Sequence, residues 1–259
     1  MLTLDEIRTF YPDILHRYPK FLLREYLQYK IMEIIYESPY AGGLCFLGGT
    51  CLRMIHGNQR FSEDLDFDNL SLSEDDFEKV AGIIEKELTR EGFETELRTV
   101  IKGAWHCYIK FPGLLFDKRI SGHREEKILI QLDTEPQYFD YEPDRFILNR
   151  FEVFTTILTT PLSILMAQKL YAIINRKRNK GRDFFDLVFL MSRNIRPDYK
   201  YLNEKISVSD ADALKLAILD KCQQLDMEEM ARDVEPFLFK PTDRKKVLQF
   251  EAVVQQYSF

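Results

Sequence analysis

Helical and strand periods of apolar positions alternate along the first part of the chain, and from Pro161 the period stays helical, which places a boundary near residue 158. Over residues 21–37, Leu23, Tyr26, Leu27, Ile31, Ile34 and Ile35 recur at helical spacing and predict an amphipathic helix lying on a core. A break at 40–43 gives way to the run Leu44-Cys45-Phe46-Leu47, the length of a buried strand. Residues 50–56 predict a short helix, ended near Gly57-Asn58 by residues that tolerate positive φ. A strand carrying Asp64 and Asp66 follows. Ser73 then opens a helix over about 74–91, with Asp76 three residues on as its capping-box partner, and Gly92 stops it. Segments at about 93–101 and 104–111 predict strands joined by a hairpin turn at Lys102-Gly103. After a charged loop at 113–126, Lys127–Asp133 reads as a strand bounded by Pro136, and a last strand falls near 151–157. From Pro161 the period is helical to the end. The predicted class is α/β (α+β): a mixed sheet flanked by helices over residues 1–157, then a helical domain over 158–259, with no internal repeat.

Composition narrows the function. The 259 residues are 45% hydrophobic and 30% charged, ordinary for a globular protein with ample core. A net charge of −6 argues against a globally basic nucleic-acid binder but leaves local basic patches open. Cys45, Cys51, Cys107 and Cys222 show neither a C-x-x-C pair nor metal-finger spacing, so reduced, buried thiols are expected. No basic n-region precedes an apolar core at the N-terminus, and no apolar run nears the roughly 18 residues of a membrane span. The expectation is a soluble, cytoplasmic protein.

The chemistry concentrates at Gly48-Gly49-Thr50 and at Arg60-Phe-Ser62-Glu-Asp64-Leu-Asp66-Phe. Paired glycines at a strand-to-helix turn let the backbone approach a ligand, and a helix start presents free N–H groups suited to phosphate. On a strand, Asp64 and Asp66 project to one side while Leu65 and Phe67 take the other. Two such carboxylates repel unless a cation lies between them, and magnesium, with its oxygen ligands and open positions, fits that need. The competing reading is a solvated face on an edge strand. Asp133, at the end of the predicted 127–133 strand, stands either as a third carboxylate or as a strand-terminal turn residue.

Lys169 falls inside the apolar stripe Leu162, Leu165, Met166, Leu170, Ile173 and Ile174, where desolvation demands an anion; a triphosphate is the expected one, and snorkelling to solvent the alternative. The run Asn175-Arg176-Lys177-Arg178-Asn179-Lys180-Gly181-Arg182 holds five cations and no acid, which suits polyphosphate or RNA backbone, or a solvated helix end. Asp183 reads as a cap for the next helix, although a cap alone does not ask for the second acid, Asp186, one turn on. His16, His56, His106 and His123 show no ligand spacing and read as surface or packed residues; Ser62 reads as a hydroxyl donor to phosphate.

Together these motifs resemble the nucleotidyltransferase (DNA polymerase β-like) superfamily, and more narrowly its AbiEii/AbiGii-type toxins of type IV toxin–antitoxin systems, with MenT-like tRNA-modifying enzymes among them. The resemblance rests on Gly48-Gly49-Thr50, on R-x-S-x-D-x-D at Arg60, Ser62, Asp64 and Asp66, on K-L-x-A-x-x-x-R at Lys169, Leu170, Ala172 and Arg176, and on R-D-x-x-D-L at Arg182, Asp183, Asp186 and Leu187. Asp133 matches only by its place after a strand. The resemblance implies a nucleotidyltransferase-type sheet and NMP transfer from an NTP with magnesium, two ions, held by Asp64, Asp66 and Asp133. It implies Asp64, Asp66, Asp133, Lys169 and Asp186 as catalytic residues. Gly48, Gly49, Thr50, Arg60, Ser62, Lys169, Arg182 and Asp183 would bind nucleotide, and Arg176, Lys177, Arg178 and Lys180 would bind RNA. It further implies a tRNA acceptor or a protein target, and a cognate antitoxin. Two rivals are a small-molecule (aminoglycoside-like) nucleotidyltransferase and a non-enzymatic nucleotide- or partner-binding module; intact repelling carboxylates argue against the second.

Overall fold

The computed structural model describes residues 1–136 and 138–259, which fall into two compact units. The first comprises Met1–Ile55 with Phe61–Thr159 and the second His56–Arg60 with Thr160–Phe259. In chain order the first unit holds α1 (Leu4–Arg8), α2 (Pro19–Tyr36), β1 (Leu44–Leu47), α3 (Gly48–Met54), β2 (Leu65–Asn69), α4 (Glu74–Arg90), β3 (Glu96–Lys102), β4 (Ala104–Phe111), α5 (Leu114–Asp117), β5 (Ile128–Pro136), β6 (Asp144–Arg150) and β7 (Val153–Thr159).

The seven strands form one mixed sheet in the order β3-β4-β5-β2-β1-β7-β6. β2 runs antiparallel to β1 and parallel to β5, and β1 runs parallel to β7. Leu65 and Phe67 of β2 are buried, with the Phe67 ring 5.5 Å from that of Phe46, so alternation aims Asp66 and Asp68 at the opposite face. The strand expected to end at Asp133 continues to Pro136, which sits at its last position. α4 carries both arms of the capping box between Ser73 and Asp76, and Gly103 turns the β3–β4 hairpin at φ 73°.

Three details depart from expectation. α2 is not amphipathic: it is buried on nearly every side, and its buried charges are paired, Arg24 with Glu63 at 2.6 Å, Glu25 with Arg53 at 2.9 Å and Lys30 with Glu33 at 2.9 Å. The charged segment 113–126 contains the short helix α5. β6 is an additional strand at the sheet edge, where exposure on both faces removes the alternation that marks a strand.

The second unit is helical: α6 (Leu162–Asn175), α7 (Gly181–Ser192), α8 (Tyr199–Ile206), α9 (Ala211–Gln223), α10 (Met227–Val234), α11 (Lys245–Leu248) and α12 (Phe250–Gln256). Leu165, Met166, Leu170 and Ile173 of α6 enter its core with Phe184, Phe185, Leu187 and Phe250; the Phe184 and Phe250 rings meet edge-on at 5.0 Å. β7 ends at Thr159, two residues past the expected change at 157/158. Segment 56–60 joins the helices because Arg60 bridges Leu238, and Asn58 and Arg60 both bond Asp186. Among the described residues no helix is long and apolar enough to cross a membrane, and the four cysteines are buried and form no disulfide.

Candidate active site

In the first unit, β1 delivers the chain to Gly48, which enters α3 with φ 79°, a conformation costly for any side chain. A Cβ there would also lie 3.0 Å from Asp66 Cγ and closer still to Asp66 Oδ2. Gly48 is thus the space in which the Asp66 carboxylate stands. At seven residues α3 is a short helix, and the structural role of the turn is this vacated volume.

Asp64 immediately precedes β2, and the hydroxyl of buried Thr50 donates to its carbonyl oxygen. Gln28 of α2 adds Nε2 hydrogen bonds to the carbonyls of Ser62 and Glu63, at 3.3 and 2.9 Å. These contacts hold the backbone that carries the two aspartates. Thr50, expected to touch nucleotide, spends its hydroxyl on the protein instead.

Asp66 pairs directly with Asp133 across the parallel strands β2 and β5, so both side chains leave the same face. Asp133 in turn pairs with His106 of β4. The Asp133 carboxylate accepts from Gln131 Nε2 at 2.8 and 3.0 Å, and its Oδ1 lies 2.6 Å from His106 Nδ1. Among the described residues, no three His, Cys, Asp or Glu side chains gather around one ion position. Gln131 and His106 both engage Asp133 on this face. Asp64 and Asp66 carry hard oxygen donors, and the Asp66 carboxylate stands in the space that Gly48 leaves. That set fits magnesium, which takes one or two protein carboxylates and completes its shell with water and phosphate.

Two residues on this face were not singled out in the sequence. His106 reaches Asp133 only through the β4–β5 register, which the loop between those strands conceals. Asp68 continues the Asp-x-Asp alternation and is buried, accepting from the Tyr141 hydroxyl at 2.5 Å. Burial pushes the Tyr141 hydroxyl well above its ordinary range, and the charge of Asp68 pushes it further, so this pair stays as an O–H···O⁻ bond.

The second unit holds the other motif residues in one buried ion network. Arg60 donates from Nε to Asp186 Oδ1 and from Nη2 to Asp186 Oδ2, both at 2.7 Å, and Asn58 Nδ2 adds 2.7 Å to Oδ1. Lys169 Nζ lies 2.7 Å from Asp183 Oδ1 and 2.9 Å from Asp186 Oδ2. Arg176 Nη1 takes the second oxygen of Asp183 at 2.5 Å. Burial opposes the charge on Asp186, but Arg60 and Lys169 outweigh it and hold the carboxyl at about 2. Burial likewise opposes the charge on Lys169, and Asp183 and Asp186 overcome it and raise its pKa.

The motif residues of this unit meet partners within the protein. The anion that Lys169 requires is supplied by Asp183 and Asp186. Arg60, 2% exposed, and Asp186, 0% exposed, are buried against each other. The N-cap of α7 is Lys180 without a side-chain cap, and Asp183 is shared between two cations. Arg182 lays its guanidinium 4.6 Å from the Phe237 ring centre. Lys177, Arg178 and Lys180 remain exposed, and Asn179 between them is buried and anchors the segment through Nδ2 to Ile173 O at 2.7 Å.

A mixed sheet that presents paired aspartates beside a strand-to-helix glycine turn, followed by a helical unit, defines a nucleotidyltransferase-type protein. A family model for the nucleotidyl transferase AbiEii toxin of type IV toxin–antitoxin systems matches residues 30–255, and the chain belongs to that family. It is accordingly a nucleotidyltransferase and the toxin component of such a system, which implies an NTP substrate and an antitoxin partner. The fold is similar to JHP933 from Helicobacter pylori, at 18% identity over 91% of this chain and 90% of that one, with a TM-score of 0.56. It is equally similar to a second H. pylori structure, of a protein proposed to be a nucleotidyltransferase, at 18% identity over 90% and 92% of the two chains and a TM-score of 0.56. No curated protein matches the chain.

Proposed function

We propose that this toxin transfers a nucleoside monophosphate from an NTP to tRNA, using the face of β2 and β5 that carries Asp66 and Asp133, with magnesium held by Asp64 and Asp66. A bound divalent ion would offset the negative charge that builds on the phosphates during transfer. In the reaction an acceptor hydroxyl oxygen bonds to the α-phosphorus, the bond from that phosphorus to the bridging oxygen breaks, and pyrophosphate leaves. Asp133, oriented by Gln131 and His106, is the residue we assign to take the hydroxyl proton. Gly48 would serve the nucleotide through the Asp66 carboxylate for which it leaves room, and Gly49 follows it at the start of α3.

The observation that carries this reading is the direct pairing of Asp66 with Asp133 beside the space at Gly48. RNA as acceptor is supported by the exposed cations Lys177, Arg178 and Lys180 in a chain of net charge −6. Localisation in the cytoplasm follows from a tRNA substrate and is part of the proposal.

The test is a transfer screen with each of four α-labelled NTPs, offered total tRNA, a protein lysate or an aminoglycoside, with and without a chelator. Label entering tRNA from a subset of NTPs, and abolished by the chelator, is the expected result. Label confined to protein or to the aminoglycoside overturns the acceptor assignment, and undiminished transfer under chelation overturns the metal.

A further inference from the structure

We propose that β6 is a dimerisation edge, pairing antiparallel with β6 of a second copy of this chain about a twofold axis through Ile147. The inference is independent of the acceptor. It begins from a strand that ends the sheet and pairs on one side only, with β7, among the described residues. Such an edge presents unpaired N–H and C=O groups, and natural proteins blunt it with charged side chains, prolines or bulges. β6, Asp144-Arg-Phe-Ile-Leu-Asn-Arg150, has neither proline nor bulge along its seven pairs with β7, and its charges lie at the ends and leave Phe146, Ile147 and Leu148 uncharged at the centre.

The strand also exposes apolar surface on both faces. Ile147 is 58% exposed on one face, beside Phe154 of β7 at 67%, and Phe146 is 41% exposed on the other. Ile147 pairs with Thr156 and Asn149 with Phe154, so Ile147 and Phe154 share a face one diagonal step apart. Phe146 pairs with buried Ile157 and shares the core-facing side, yet the sheet ends beyond it.

The occupant is identified by the order of residues along the strand. Antiparallel pairing of identical strands about a twofold requires partners of the same parity, because paired residues share a face. With Ile147 on the axis, Ile147 opposes its own copy, Phe146 opposes Leu148, Arg145 opposes Asn149, and Asp144 opposes Arg150 at both ends. Apolar meets apolar in the centre, opposite charges meet at the rims, and all seven residues pair. Shifting the axis to Phe146 sets Arg145 against Ile147 and Asp144 against Leu148. Placing it on Leu148 sets Arg150 against Phe146, and placing it on Arg145 sets that arginine against itself. One register alone satisfies both charge and hydrophobicity.

The register supplies its own test. A residue on the axis faces itself with Cα atoms about 4.5–5.5 Å apart, within disulfide reach, whereas Asn149 is offset from its copy by about 14 Å along the strand. The native cysteines are all buried, so an introduced surface cysteine reports alone. The full-length wild type should sediment as a dimer at tens of micromolar. Ile147→Cys should give a covalent dimer on mild oxidation, while Asn149→Cys, on the same strand face, should remain uncross-linked. Melts of the reduced variants confirm that both are folded. A monomeric wild type, equal cross-linking at both positions, or a wild-type dimer in which Ile147→Cys fails to cross-link each overturns the proposal.

Discussion

Arg60 and Asp186, 126 positions apart, form a two-pronged ion pair at 2.7 Å inside the helical unit. Asp186 is held at about 2 against an ordinary value of 3.8, because Arg60 and Lys169 outweigh the cost of burial. A carboxyl depressed on folding stabilises the folded chain above its unfolded pKa and loses that contribution as pH falls through its folded one. The stabilisation from Asp186 is therefore present above about pH 4 and lost between about pH 4 and 2. Asp186→Asn should destabilise the protein by about 3–5 kcal/mol near neutrality, since it leaves two buried cations facing a neutral group. Its urea midpoint should then vary less than that of the wild type across the same acid window. A variant as stable as wild type at neutral pH would remove Asp186 from the structural role.

Lys169 gives a contrasting prediction. With Asp183 and Asp186 as its partners, removal should weaken the protein without ligand. The loss should be smaller than for Asp186, because Asp183 keeps Arg176 and Asp186 keeps Arg60 and Asn58. Lys169→Met should lower stability by about 1–3 kcal/mol in chemical denaturation. An unchanged midpoint in the nucleotide-free protein would return the lysine to a phosphate role.

Gly48→Ala tests the vacated volume beside Asp66. The backbone at φ 79° and the collision with the Asp66 carboxylate act together. The variant should lose about 1–3 kcal/mol of stability. Nucleotidyl transfer should fall by at least about 100-fold, because the displaced group lies at the reacting centre. Transfer near the wild-type rate would show that Asp66 need not stand where Gly48 leaves room.

Neutralising Arg178 and Lys180 together should flatten the dependence of log tRNA affinity on log salt by about 1 to 2, as expected for one or two lost phosphate contacts. NTP affinity should change less. An unchanged slope accompanied by a large loss of NTP affinity would assign these cations to the nucleotide instead.

The elements were largely legible where local chemistry decides them. The capping box at Ser73 and Asp76, the turn at Gly103 and the strand 44–47 depend on neighbours a few residues away, and the structure places them accordingly. What the sequence could not display was pairing at long range. An inward lysine demands an anion, but nothing local says whether that anion is a substrate or Asp183 and Asp186. Arg60 sits four residues from Asp64 in the chain, yet its partner Asp186 lies 126 positions away, a pairing the motif does not display. His106 and Asp133 meet through strand register alone. β6, exposed on both faces, lacks the alternation by which β4 and β7 betray themselves.

If the chemistry takes place at Asp66, opposite Asp133, Asp66→Asn should reveal it under two readouts. In the wild type, magnesium with a non-hydrolysable NTP should raise the melting midpoint by ligand linkage. In Asp66→Asn the midpoint without ligand should equal or exceed that of the wild type, because one of two facing carboxylates has been neutralised. The magnesium-dependent rise should vanish, and transfer from α-labelled NTP should fall by at least about 100-fold. An Asp66→Asn protein that keeps both its magnesium-dependent rise and near-wild-type transfer would contradict the account.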